Sequence, residues 1–175
     1  AKYFCSQCIN QTLMYYKSIL LEKFNLKNIY KSPELESLYL TFNISDKNKI
    51  ILASSALFLL TGKKPVLIFK ELSKKNKKKE FIGCKVKLYK KEAFLFLLYF
   101  ILIVLPNNKD LLHSINKAKV KGQSINFYIK DLLTFPELNK EVNKFYDLTP
   151  LKITLNFNKS SFINYFLNLI NFKAS

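Results

Sequence analysis

The sequence contains no arginine and no tryptophan, and it has only three glycines, one histidine and three cysteines. One histidine and three cysteines supply too few ligands for most metal enzymes, and they exclude a dense disulfide framework. Three separate glycines exclude the glycine-rich loops that hold dinucleotides or nucleoside triphosphates. The carboxylates are scattered, and His113 has no visible partner that would make it a catalytic base. The sequence therefore predicts neither an enzyme nor a cofactor site.

Lysine is the charged residue that the chain has in excess. Among 175 residues, Lys plus Arg number 29 and Asp plus Glu number 12, so the formal net charge is +17. An excess of one sign repels itself in the compact state and calls for a polyanionic partner. Nucleic acid, an anionic membrane surface and an acidic protein would each fit. Because lysine is a flexible point charge that suits phosphates better than base edges, we expect recognition of a backbone and its shape rather than of a base sequence.

The apolar pattern predicts one domain of mixed type. Hydrophobic residues make up 49% of the chain, enough for a folded core. Interspersed strands and helices favour an α+β fold, with an antiparallel-rich sheet and helices packed on one face. We expect residues 1–12 to be an N-terminal extension and 13–175 to be the domain. Alternation and helical spacing predict strands at 38–44, 65–72, 81–89, 124–129 and 151–157, and helices at 13–24, 47–60, 92–105 and 160–172.

Three shorter segments also carry predictions. Asp46 stands where it could cap the helix at 47–60. Residues 107–121 are expected to be a polar, basic connection. Residues 135–138, with the sequence Phe-Pro-Glu-Leu, are expected to be a turn.

The run of apolar residues at 93–105 invites a membrane interpretation. Thirteen residues in a row are apolar, but as a helix they span only about 20 Å, short of the roughly 30 Å hydrocarbon core of a bilayer. The run therefore favours a helix buried in the protein or covered by a partner. A small basic protein anchored in a membrane by this helix is the alternative.

Cys5 and Cys8 have the spacing of a metal-binding or redox pair, but a structural zinc site needs four ligands. Only Cys84 and His113 could complete such a site. Cys84 falls on the core-facing side of the predicted strand at 81–89. The sequence therefore predicts no metal site.

The lysines gather in a few places. Residues 73–80 contain five lysines in eight positions, which predicts an exposed loop. On the strand that follows, Lys85, Lys87 and Tyr89 share one face, and Lys90 continues the charge. A sheet face of this kind can follow an RNA backbone and stack an occasional base. Further basic groups are Lys63 with Lys64 at a helix end, and Lys117, Lys119 and Lys121 in the connection.

The chain resembles a known family in the order of several short motifs. The most specific is Ile-Gly-Cys-Lys-Val-Lys-Leu at 82–88, and Leu-Thr-Gly-Lys-Lys-Pro at 60–65 is similar to the family's turn before the second strand. Ser-Pro-Glu-Leu-Glu at 32–36, Phe-Pro-Glu-Leu at 135–138 and Leu-Lys-Ile-Thr-Leu at 151–155 follow the same order. The family is the L-five family of large-subunit ribosomal proteins, which bind 5S ribosomal RNA in the central protuberance.

This resemblance implies specific roles. It implies an α+β sandwich with helices packed on one face of the sheet and an RNA-binding surface on the opposite face. It also implies a non-catalytic constituent of the large ribosomal subunit that contacts 5S or large-subunit rRNA and neighbouring large-subunit proteins. The loop at 73–80, through Lys74, Lys75, Lys77, Lys78 and Lys79, would reach the transfer RNA in the peptidyl site. The segment at 107–121 would form an intersubunit bridge to a small-subunit head protein. The RNA-binding residues would be Lys17, Thr41, Lys63, Lys64, Lys85, Lys87, Tyr89 and Lys90.

The composition also indicates a source. Abundant Lys, Asn, Ile, Phe and Tyr with scarce Arg, Trp and Gly is typical of an AT-rich genome. Together with departures from the family pattern, such as Gly-Gln-Ser at 122–124 where the family has Gly-Asn-Tyr, it favours a mitochondrial ribosome, with a plastid ribosome second. A free ribosome assembly factor of the same fold is the remaining alternative.

Overall fold

Six strands form one antiparallel sheet in a computed structural model that describes residues 34–44, 46–71, 79–106 and 118–159, together with Tyr15, Glu22, Leu111, Ile115 and Ile163. The strands are β1 (Leu35–Asn43), β2 (Val66–Glu71), β3 (Lys79–Tyr89), β4 (Lys119–Lys121), β5 (Ser124–Ile129) and β6 (Leu151–Phe157). Their order in the sheet is β2-β3-β1-β6-β5-β4, so β1 lies between β3 and β6.

The described helices pack on one face of this sheet. Helix α1 (Lys47–Thr61) contacts β3, and α2 (Lys90–Tyr99) contacts β1 and β3 before it continues as a π-helical turn at Phe100–Val104. Two short helices, α3 (Pro136–Asn139) and α4 (Val142–Phe145), contact α1. A 3₁₀ turn at Leu132–Thr134 precedes them. This arrangement confirms the α+β prediction and the position of the helices.

Strict alternation along the central strands builds the core. In β6, every second residue from Leu151 to Phe157 is buried and the residues between them are partly exposed. β1 from Leu38 and β3 from Cys84 follow the same rule, because side chains of period two point to opposite faces of a sheet. The core residues of these two strands are Leu38, Leu40, Phe42, Cys84, Val86 and Leu88. Within the part of the chain that the structure describes, the sheet therefore has one face covered by helices and one open face.

The apolar run at 93–105 is largely a core element. Ala93, Phe96 and Val104 are buried, and the ring of Phe100 lies 5.7 Å from that of Phe127 on β5. Leu102 on the outer side is half exposed. Among the described helices, none is long and apolar enough to span a membrane.

Several element boundaries differ from the predictions. β3 begins at Lys79, two residues before the predicted start, and α2 begins at Lys90 rather than at 92. Asp46 occupies the N-cap position of α1, but its side chain makes no capping hydrogen bond. The predicted helices at 13–24 and 160–172 lie outside the described residues except for Tyr15, Glu22 and Ile163.

Two predictions of irregular structure were wrong. Residues 119–121, predicted as part of a connection, form the edge strand β4, because the turn at Gly122 folds them back onto β5. The predicted turn at 135–138 contains the start of α3, with Pro136 at its first position. Proline suits that position because its missing N–H would have no helical partner there.

Candidate nucleic-acid interface

The open face of the sheet is polar and free of carboxylates over its centre. β1 contributes Tyr39 and Thr41, and β3 contributes Lys85, Lys87 and Tyr89, because these residues alternate with the core-facing residues of the two strands. No Asp or Glu occurs in the central parts of four strands, so these strands contribute no carboxylate to this face. The ranges are 37–43 in β1, 83–89 in β3, 124–128 in β5 and 152–156 in β6. The face therefore presents positive charge and hydrogen-bonding groups to solvent. We call this surface the open face.

Lys87 is held between two tyrosine rings. Its Nζ lies 4.3 Å from the ring centroid of Tyr89 and 5.1 Å from that of Tyr39, its cross-strand partner. Both distances are within the range of a cation–π interaction. Hydrogen bonding to the side chain of Tyr39, and then to that of Tyr89, raises the pKa of Lys87 above its ordinary value of 10.5. The ammonium group of Lys87 thus lies on the open face, beside the exposed ring of Tyr89.

Neighbouring strands extend this arrangement. Thr41 lies opposite Lys85 on β3 and opposite Lys152 on β6, so a threonine stands between two lysines in register. Further along β6, Thr154 donates a hydrogen bond to Asn126 of β5 at 2.7 Å, which orients these two side chains. The open face thus continues from β3 across β1 and β6 to β5.

A second basic group lies where β3 meets α2. Lys90, at the first position of α2, has a φ of 36°, a left-handed value that is uncommon for a side-chain-bearing residue. Lys63 makes an ion pair with Glu92 at 2.5 Å, which connects the end of α1 to the start of α2. Lys64 is exposed. Lys63 is therefore partly neutralised within the protein, whereas Lys64 and Lys90 remain exposed.

The turn that carries Lys63 and Lys64 has a local cause. Gly62 ends α1 with a φ of 69°, and its N–H donates to the carbonyl of Phe58 at 2.7 Å. The Thr61 hydroxyl donates to the Leu57 carbonyl and accepts from the N–H of Lys63. Glycine is favoured where a helix ends in the left-handed region. The Thr-Gly pair thus fixes where the two lysines leave the helix.

The structure brings together four of the predicted residues and leaves others undescribed. Thr41, Lys85, Lys87 and Tyr89 share the open face. Lys79 is the first residue of β3, and nothing further is described for its side chain. Lys17, Lys74, Lys75, Lys77 and Lys78 lie outside the described residues.

Sequence reasoning missed several members of the open face. Tyr39 and Lys152 are directly opposite predicted residues, and Tyr128 lies opposite Lys152 on β5. Their alternation with core residues was visible in the sequence. The strand order, which places β6 next to β1, was not. Lys119 and Lys121 join the same face through their pairing with Asn126 and Ser124.

The described residues offer little for catalysis. Cys84 is buried on the helix side of β3, and burial raises the pKa of its thiol, which disfavours the reactive thiolate. Within the described ranges, no group of three or more potential metal ligands is found.

The tyrosine pair around Lys87 makes a pH-dependent prediction. We expect Tyr39→Phe to lower the pKa of Lys87, because the substitution removes the hydroxyl that contributes most to raising it. Because the pKa of Lys87 is raised, the stability that its charged form contributes to the fold is present below pH 10.5. This contribution is lost as the pH rises through the pKa of Lys87 in the folded protein. NMR titration of isotopically methylated lysines measures the shift. Tyr128→Phe, on the same face but opposite Lys152, is the control, and an equal shift in both variants would contradict the assignment.

Comparison with known proteins gives consistent matches. No protein-family model matches the chain. The large ribosomal subunit protein uL5 of Clostridium beijerinckii is 32% identical over 126 residues, which cover 68% of this chain and 70% of that protein. The protein uL5m of Reclinomonas americana is 32% identical over 154 residues, covering 78% and 81% respectively. A uL5 of Clostridium botulinum is 31% identical over 126 residues.

Proposed function

Because the chain belongs to the uL5 family of large ribosomal subunit proteins, we propose that it is a structural constituent of the large subunit and holds ribosomal RNA against its open face. It takes part in translation as a ribosomal protein and is not an enzyme. We assign residues 13–175 to the ribosomal domain and residues 1–12 to an N-terminal extension.

The observation that carries this proposal is the charged, aromatic centre of the open face. The Nζ of Lys87 lies between the rings of Tyr39 and Tyr89, and Lys85 stands two residues away on the same side of β3. An ammonium group fixed in this way can neutralise a phosphate without losing much side-chain entropy on binding. The exposed ring of Tyr89 offers a surface on which an unpaired base can stack. The mechanism is phosphate neutralisation combined with fit to RNA shape.

The finer contacts of the proposal follow from the family resemblance. The RNA is 5S rRNA, large-subunit rRNA, or both, in the central protuberance. Lys64 and Lys90, exposed at the corner between β3 and α2, are positioned to extend the contact beyond the sheet. The lysine-rich loop at 73–80 reaches the peptidyl-site transfer RNA, and the region at 107–121 contacts a small-subunit head protein.

We place the protein in a mitochondrial ribosome. The match to uL5m, where the final letter marks the mitochondrial form, extends over more of this chain than the matches to the bacterial relatives described above. The AT-rich composition is compatible with an organelle genome, in which a plastid is the second candidate.

Sedimentation tests the proposal against an assembly factor of the same fold. A constituent stays with mature large subunits through a sucrose gradient at moderate salt, and it is present in amounts equal to the other large-subunit proteins. A factor is found only on immature particles. Recovery of the chain solely in immature particles, or in a fraction free of ribosomal RNA, would overturn the proposed function.

A further inference from the structure

The two edges of the sheet are built differently. β4 is three residues long, and lysines flank its single apolar residue, Val120. Short length and charge are the usual means by which a sheet edge is protected from pairing with another strand. β2 is six residues long, and its first four residues, Val66–Leu67–Ile68–Phe69, carry no charge. β4 is therefore protected along its whole length, whereas β2 has protective features only in its second half, where the register with β3 shifts between Ile68 and Phe69 and the strand ends in Lys70 and Glu71.

The side chains of β2 are exposed on both faces of the sheet. Val66 is 60% exposed and lies opposite Lys85 on the open face. Leu67 is 43% exposed and Phe69 53%, although Leu67 lies opposite Cys84, which the helices bury. The described helices therefore do not extend over β2. Removing large apolar side chains from water is favourable, so exposed apolar groups on both faces favour a partner that covers both.

The backbone of β2 also has an unpaired side. The carbonyl of Ile82 accepts from the N–H of Ile44 in the extension of β1, at 2.7 Å, so the backbone of Ile82 faces β1. Because bonding alternates along an antiparallel strand, the backbone of Cys84 faces β1 as well. Leu67, opposite Cys84, must then direct its N–H and C=O away from β3. Among the described residues, no strand lies on that side of β2.

We infer that β2 is a docking edge at which an extended segment of a neighbouring ribosomal protein adds a seventh strand to the sheet. This inference rests on the proposed function, since it needs a ribosome as the setting. A strand supplies donors and acceptors together at the spacing of the edge, and its alternating side chains cover both faces. RNA supplies phosphate acceptors but no such ladder. A second copy of the chain would place two molecules of charge +17 edge to edge.

Charge defines the partner segment further. Lys64 before the strand is exposed, and Lys70 near its end is exposed opposite Glu80 of β3. The segment that fits is therefore apolar in its middle and acidic at the end that lies beside Lys64. A carbodiimide, which joins amines directly to carboxylates in contact, can trap such a pair.

The edge position of Leu67 gives a selective variant. Leu67→Pro removes an N–H that points outward, and proline is tolerated in a strand where no ladder bond is lost. Leu67→Ala shortens the side chain but keeps the N–H. Val120→Pro is the matched variant at the other edge: Phe157 donates to the Gln123 carbonyl at 2.9 Å, so Ile125 faces β6 and Val120 opposite it points outward.

The test uses large subunits purified from cells in which the variant is the sole copy of the protein. In wild-type subunits, carbodiimide treatment and mass spectrometry should join Lys64 to an acidic residue of one other ribosomal protein. Leu67→Pro should lower the yield of that product at least tenfold, whereas Leu67→Ala and Val120→Pro should leave most of it. An unchanged yield in Leu67→Pro, or a product that joins two copies of this chain, would overturn the inference.

Hydrogen exchange gives an answer that does not depend on the proline variant folding. The amide of Leu67 should exchange at least tenfold more slowly in the intact subunit than in the isolated protein, and it should stay slow after ribonuclease treatment. The amide of Val120 serves as the comparison within the same molecule. Protection that ribonuclease abolishes, or no protection, would overturn the inference while the chain remains in the subunit. Absence of the chain from the subunit would instead count against the proposed function.

Discussion

Replacement of Lys85 and Lys87 by alanine together should weaken binding to ribosomal RNA roughly 100-fold at about 0.1 M salt, since each phosphate contact is worth about one power of ten there. The slope of log affinity against log salt should become shallower by about two, one unit for each lost contact. Both residues lie on the carboxylate-free centre of the open face, so neither charge is compensated locally by an acidic group on that face. Filter binding with labelled rRNA extracted from the purified large subunit measures both quantities.

A matched variant separates local contact from net charge. Lys140→Ala with Lys144→Ala also removes two positive charges, but on the helix side of the sheet. Lys140 directly follows α3, and Lys144 lies in α4. Lys144 pairs with Glu141 in an exposed i,i+3 pair, which contributes little to stability. This control should change affinity no more than a few-fold. Equal loss in the two double variants would mean that the open face has no special part in binding.

Substitution of Gly83 by alanine should destabilise the fold by about 3 kcal/mol or more, an effect typical of severe overpacking. A Cβ at this position would lie 2.0 Å from the carbonyl oxygen of Phe42 and 3.2 Å from the Cα of Asn43. Both are backbone atoms of β1, so relief requires that β3 move away from its central partner. Thermal unfolding should show the midpoint lowered by roughly 6–12 °C for a chain of this size.

Gly122→Ala is the comparison for Gly83→Ala. Its φ is +60°, but a Cβ there meets nothing within 4 Å. The expected loss is about 1 kcal/mol, from the left-handed backbone conformation alone. If both glycine variants unfold at the same temperature, the close approach of β1 to β3 is not the reason that residue 83 must be a glycine.

The central strands could be predicted from the sequence because each carries its own signal. The alternation of Leu151, Ile153, Leu155 and Phe157 with polar residues is enough to identify a half-buried strand. The three residues of β4 are too few for a pattern, and they become a strand only because the turn at Gly122 returns them to β5. The start of α3 had a readable signal in Pro136 followed by Glu137, which the turn interpretation overlooked. The π-helical end of α2 has no signal in its uniformly apolar sequence.

The sequence likewise predicts some residues of the candidate site and not others. Lys85, Lys87 and Tyr89 could be grouped because they alternate within one strand. Tyr39 and Lys152 could not be added, because their positions depend on the order in which β3, β1 and β6 pair. Register alone places Tyr39 against Lys87 and thereby creates the tyrosine pair that raises the pKa of the lysine. Local patterns thus identify which residues face outward, while long-range pairing decides which of them act together.

A density map of the purified large subunit tests the RNA-facing role of the sheet most directly. We expect the chain in the map with ribosomal RNA lying across the open face, a phosphate close to the Nζ of Lys87 and the helices α1 and α2 turned away from that RNA. A map in which the open face contacts solvent or protein, with the RNA on the helix side, would contradict it.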